Sequence, residues 1–122
     1  MSHILNEDKI EAKALPGREH KMVFGPFEDL LNSKSMCGGV AWFPAKSHAP
    51  AHVHTKEEEV IYILTGYGVI YFDGQPEDVK PGDFVNIPCG VEHSIRNDAD
   101  ESMKLLYVFS PPVVQGSYDK KT

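Results

Sequence analysis

Glycine and proline cut residues 36–112 of this chain into runs too short for ordinary helices. Pro44, Gly66, Asp73-Gly74, Pro81-Gly82 and Pro88 separate apolar stretches of four to eight residues. A mean helix needs about eleven residues and a mean strand about five or six, so the spacing selects strands. The runs are also rich in β-branched and aromatic residues: Met36–Phe43, Val60–Thr65, Val69–Phe72, Asp83–Ile87, His93–Asn97 and Met103–Phe109. Asp73-Gly74 tolerates the positive φ of a primed hairpin turn and predicts that the Tyr71 strand pairs with one near Val79. A second hairpin is expected around Gly66, joining Val60–Thr65 to Val69–Phe72. About eight strands result, and the class is all-β. Helix is confined to one possible turn at Glu28–Asn32.

Three blocks follow: residues 1–35 as an arm or edge strands, residues 36–112 as the barrel, and residues 113–122 as a tail. At 122 residues the chain has room for a single domain with a real core. No apolar run nears the roughly 20 residues that span a bilayer, and the start lacks the basic and apolar regions of a secretory signal. The expectation is a cytoplasmic protein with no membrane partner. Twelve basic against eighteen acidic residues, with the lysines scattered, argue against nucleic acid. Cys37 and Cys89 are too few for a disulfide framework and read as free thiols.

The chemistry lies in "AHVHTKEEEV", residues 51–60. Side chains alternate along a strand, so His52 and His54 project to one side, as two ligands of one metal must. Taken alone, such a pair is as compatible with surface histidines, and Glu57 to Glu59 with a solvated charge run. Glu59 shares a face with Ile61, Ile63 and Thr65, whereas Glu58 shares one with Val60, Tyr62 and Leu64. His93 lies a short loop beyond a strand ended by Pro88, where antiparallel pairing could bring it alongside. A mixed nitrogen and oxygen set suits divalent first-row transition metals better than calcium, which takes oxygen ligands, or structural zinc, which favours thiolates.

A second pattern decides between these readings. From Gly82 the chain runs glycine, five residues, Pro88, one residue, Gly90, two residues, His93, three residues, Asn97. The glycine and proline placements alone coincide by chance roughly once in 4,000 starts. Together with His52, His54, Glu59 and Gly66 at their own spacing, it resembles the two motifs of the cupin family. One position departs, because the glycine expected six residues before the first histidine is Lys46.

The resemblance covers about Gly39 to Pro112. It implies a single-domain double-stranded β-helix, or jelly-roll barrel, of the conserved-barrel cupin type, with the metal inside at one end. Carried over position by position, the ligands are His52, His54, Glu59 and His93. They would hold one divalent transition metal ion, such as iron, manganese, nickel, zinc or cobalt. Glu57 and Glu58 read as solvated turn charges. Tyr107 and Phe109 point inward as core or pocket wall, Trp42 as core, Cys89 as a packed thiol, Arg96 to solvent and His48 to the rim. Tyr107, Tyr62 and Glu58 are the candidates for proton transfer. "VFSPP", residues 108–112, is similar to the tail of small cupins that open unsaturated uronate rings. That group has an aspartate and an arginine where this chain has Tyr107 and Val113, so those roles are not carried over.

The fold does not choose the reaction. The resemblance implies a metal-dependent enzyme acting on a sugar, uronate or keto acid by isomerase, lyase or oxygenase chemistry. A non-catalytic ligand-binding or sensing protein is the alternative. A structural metal clip fits least, since closed sites favour thiolates. Small cupins of this kind are often homodimers.

Overall fold

The computed structural model describes residues 3–113. Residues 114–122, most of the expected tail, lie outside the described residues. Eleven strands form in the order β1 (Lys13–Leu15), β2 (Arg18–Gly25), β3 (Leu31–Asn32), β4 (Cys37–Phe43), β5 (Ser47–His52), β6 (Glu58–Thr65), β7 (Gly68–Phe72), β8 (Gln75–Val79), β9 (Phe84–Ile87), β10 (His93–Asn97) and β11 (Met103–Ser110). Among the described residues the only helical element is one 3₁₀ turn at Glu7–Lys9, with Asn6 Oδ1 accepting from the Asp8 N–H. The expected turn of helix near Glu28 is a tight turn instead. Its Leu30 N–H points to the Phe27 carbonyl at 3.4 Å, and β3 follows at once, parallel to β2.

Two sheets face each other. The larger has the order β1-β2-β4-β11-β6-β9, with β3 beside β2; the smaller is β5-β10-β7-β8. Alternation drives the packing, since every second residue of β11, from Met103 through Leu105 and Tyr107 to Phe109, is buried. These side chains meet Phe43, Ile61 and Ile63 of the same sheet and Ile70 and Ile95 of the other in one cluster. Each such large apolar side chain contributes roughly 1.5–3 kcal/mol by leaving water. This is the jelly-roll arrangement expected of the sequence, as one domain.

The Asp73-Gly74 hairpin forms as expected: φ is 50° and 84° at the two residues, and β7 pairs with β8. The turn at Gly66 does not make a hairpin. β6 pairs with β11 and β9, while β7 pairs with β10 and β8, so Gly66 carries the chain from one sheet to the other. The geometry there admits only glycine: φ is 84°, and a Cβ would stand 2.6 Å from Met103 Cα and Ser102 O. Lys46, at the position where the motif expects glycine, adopts φ 58° all the same. Its side chain reaches the neighbouring loop. Lys46 Nζ donates to Asp98 O at 2.8 Å and sits 3.3 Å from Asp100, tying two loops together.

Trp42 is half-buried rather than core; Lys21 and Lys104 lie over its ring at 5.4 and 5.0 Å. Residues before the barrel supply β1, β2 and β3, and β2 pairs along β4, so this segment belongs to the larger sheet.

Candidate metal centre and its pocket

β5 and β10 run antiparallel with His52 directly opposite His93. A one-residue shift of register between Ile95 and His93 sets this pair, since the Ser47–Asn97 register alone would place His93 opposite Ala51, and the two imidazoles lie 4.3 Å apart between centroids. His54 follows two residues after His52. Its ring lies 4.9 Å from that of His52 and 5.4 Å from that of His93, and it meets the edge of Phe109 at 4.7 Å. One ring nitrogen from each of the three histidines lies within 4.8 Å of the others. Glu59, second residue of β6, comes from the opposite sheet, with its Oε1 3.4 Å from His93 Nε2.

The surroundings of the rings set their tautomers. His52 Nδ1 stands 3.2 Å from the Pro50 carbonyl, and His93 Nδ1 stands 3.1 Å from that of Val91. A carbonyl can only accept, so Nδ1 carries the proton in both rings and Nε2 keeps its lone pair for a cation. His54 Nδ1 faces Glu57 Oε1 at 3.7 Å, with both groups buried. A carboxylate behind an imidazole orients the ring and raises its basicity as a metal ligand. The donor set therefore fits a divalent transition metal. Glu57 is correspondingly not a solvated charge: only 5% of it is exposed.

The electrostatics agree with this division. His54 is pushed down to about 3, by burial first and then by His52, His93 and Arg18. His93 is raised: burial opposes its charged form, but the Glu59 carboxylate and the Val91 carbonyl outweigh that penalty. Without a cation, Glu59 draws a proton onto His93, and a metal ion would take that proton's place.

The loops that carry these groups are cross-bonded. Gly90 N–H donates to His54 O at 2.9 Å, and Asp73 N–H donates to Glu92 O at 2.8 Å. Cys89 is exposed rather than packed, and its Sγ–H donates to Thr55 O at 3.0 Å.

A cavity of about 40 Å³ opens beside the histidines, room for a few water-sized groups. Its polar wall is Arg18, His20, His52, Glu59, His93 and Tyr107; Ala41, Phe43, Ile61, Leu105 and Phe109 supply much of the apolar remainder. Tyr107 is buried on the inner face of β11, and its hydroxyl lies 3.0 Å from His20 Nδ1. Burial, and then the charges of Arg18 and Lys13, lower the pKa of His20.

Of the three proton-transfer candidates, only Tyr107 reaches this cavity. Tyr62 lies on the outer face of β6 with its ring 4.6 Å from that of Phe84. Glu58 is exposed on the same outer side and accepts from Asn86 Nδ2 at 3.1 Å. Strand alternation is the reason, since β6 turns Glu59, Ile61 and Ile63 inward and their neighbours outward. Arg96 is solvent-facing as expected, paired with Asp98 at 3.3 Å. Arg18 and His20 are pocket residues with no signal in the sequence, and Glu57, expected as a solvated turn charge, stands buried behind His54.

The barrel has counterparts among known proteins. An oxalate-binding protein from Thermotoga maritima is 35% identical over 81 residues, covering 66% of this chain and 67% of that protein. Acireductone dioxygenase 4 of Arabidopsis thaliana is 33% identical over 82 residues, 62% of this chain and 42% of the relative. The chain spans about half the length of the first curated relatives it matches. Among solved structures, a predicted oxalate decarboxylase from Thermotoga maritima superposes with a TM-score of 0.74 at 25% identity, over 88% of this chain and 98% of that one. The family model described as the cupin domain matches residues 40–109, more than half of the chain. With both histidine-bearing motifs inside that span and the two-sheet barrel around them, the chain belongs to the cupin domain family.

Proposed function

We propose that this cupin is a metal-dependent enzyme for a small oxygenated molecule, such as a sugar, uronate or keto acid. His52, His54, Glu59 and His93 are the proposed ligands of one divalent transition metal ion. The observation that carries the reading is the common orientation of the rings. Nδ1 of His52 and of His93 faces a backbone carbonyl and Nδ1 of His54 faces Glu57, which turns the other nitrogen of each ring toward the common centre. A metal ion there supplies Lewis-acid polarisation of a bound oxygen, in the service of isomerase, lyase or oxygenase chemistry.

The chain's own part is to orient and to move a proton. Tyr107 Oη and His20 Nδ1 form a pair at 3.0 Å in the cavity wall. With its pKa lowered by burial, His20 is neutral at neutral pH and able to take a proton passed through the phenol.

A binding or sensing role is the second reading. It is favoured by the similarity to an oxalate-binding protein, and by the absence of a carboxylate other than Glu59 from the cavity wall among the described residues. The homodimer, which rests on the family resemblance alone, and the cytoplasmic location are further parts of the proposal.

The test begins with untagged protein and elemental analysis of wild type, His52→Ala and Glu59→Ala. One equivalent of metal in wild type and little in the variants is expected; full metal in both variants overturns the ligand set. Metal-loaded protein is then incubated with uronates, keto acids and sugars, with and without oxygen. Product formation that disappears in Tyr107→Phe supports the enzyme, whereas ligand-induced stabilisation without turnover supports the binder.

A further inference from the structure

We infer that Arg18 is the specificity residue of this pocket and selects compact carboxylates, one carboxylate group meeting its guanidinium while an oxygen at the other end faces the metal centre. The inference rests on the metal reading above and narrows its substrate class.

Arg18 opens β2 directly after the Pro16-Gly17 turn. That turn is seated on the backbone of β5, the strand that ends in His52. Gly17 has φ 77°, and a Cβ there would come within 2.2 Å of the His48 carbonyl oxygen, so the chain approaches as closely as glycine alone allows. Arg18 Nη1 donates to Pro16 O at 2.9 Å, which fixes one edge of the fork over its own turn. The side chain lines the same cavity as His52, Glu59 and His93.

Two properties of the cavity convert that placement into a choice of ligand. Its enclosed part, about 40 Å³, suits a molecule of a few heavy atoms better than an extended six-carbon sugar acid. Its wall beyond those polar groups is apolar, so each hydroxyl of a polyol that cannot reach them would be buried unpaired, at roughly 1–3 kcal/mol. A planar guanidinium is the group best matched to a carboxylate, which such a fork meets with two parallel N–H bonds where a lysine offers a point charge. Burial, followed by the Arg18 charge, also lowers the proton affinity of His20. The field of the guanidinium thus reaches across the pocket to the proton-moving pair.

The test is calorimetric titration of wild type, Arg18→Gln and Arg18→Lys with pyruvate, oxalate and the neutral amide pyruvamide. Each is run on manganese-loaded and on metal-free protein, with metal content and thermal midpoint recorded for every variant. Expected is at least tenfold weaker binding of both anions by Arg18→Gln, an intermediate loss in Arg18→Lys, and weaker binding of pyruvamide than of pyruvate by wild type. Unchanged metal content and midpoint in both variants are expected too, which locates the loss in recognition. The inference is overturned if Arg18→Gln binds both anions within twofold of wild type, if pyruvamide binds wild type as tightly as pyruvate, or if neither anion binds wild type at millimolar concentration. Wild type that takes up no manganese or other divalent metal overturns the metal reading instead. The titrations on metal-free protein then judge Arg18 by the same twofold criterion.

Discussion

The two ends of β10 bury polar side chains for opposite purposes. At one end Asn97 is fully buried and saturated. Its Nδ2 lies 3.0, 3.1 and 2.8 Å from the carbonyl oxygens of Phe43, Pro44 and Glu101, and its Oδ1 accepts from Ala99 N–H at 3.0 Å. At the other end His93 is almost as enclosed, yet its Nε2 is not saturated: it faces Glu59 Oε1 at 3.4 Å beside the ring nitrogens of His52 and His54. Both residues belong to the same five-residue motif segment. A buried polar atom with every bond made is part of the scaffold, and one held short of its bonds among other such atoms marks a binding centre.

The largest effect expected from breaking that contrast is at the saturated end. Asn97→Ala leaves several carbonyls without a donor and should cost about 3 kcal/mol in urea unfolding, with the metal stoichiometry of the folded fraction unchanged. Next is the opposite end: His93→Ala should weaken metal binding by roughly a hundredfold or more in equilibrium dialysis, with a smaller stability loss in the metal-free protein than Asn97→Ala. If the two variants exchange these signatures, the division of β10 is wrong. Glu57→Gln should weaken metal binding by roughly tenfold, since it removes the charge behind His54 but keeps the shape.

Acidity sharpens the contrast further. His54, held down to about 3, stays neutral in the folded chain while the unfolded chain protonates it near 6.5. Between those values the unfolded state binds the extra proton, so metal-free stability falls as the pH is lowered. His93 works in the opposite sense: its contribution is complete below 6.5 and is lost as the pH rises through its raised value. Unfolding free energies of metal-free wild type and His54→Gln, from urea titrations, should diverge on acidification by no more than about 1.4 kcal/mol per pH unit, with the variant falling less. Parallel curves would remove His54 from the account. The smallest effects belong to the outer face, where Tyr62→Phe and Glu58→Gln should leave metal content unchanged and turnover within about twofold.

Local chemistry accounts for what was legible in the sequence. β10 and the β7–β8 hairpin could be read because a proline, a histidine spacing or an Asp-Gly pair acts within a few residues. The Gly66 turn could not: its glycine announces a turn, but which sheet receives the next strand depends on β10 and β11, thirty to forty residues later. Glu57 was within reach, because the alternation that turns Glu59 inward applies equally two residues earlier. Arg18 and His20 carried no local signal. Their place in the pocket comes from β2 pairing with β4 and from a partner, Tyr107, that is 87 positions away.

The His93–Glu59 contact joins the two sheets, because β10 belongs to one and β6 to the other. An ion held between them acts as a rivet that only the closed barrel can accept. Occupancy is thereby written into heat resistance: an ion at a hundred times its dissociation constant adds about 2.7 kcal/mol to the folded state. A melting curve taken metal by metal would rank the candidate ions before any substrate is known.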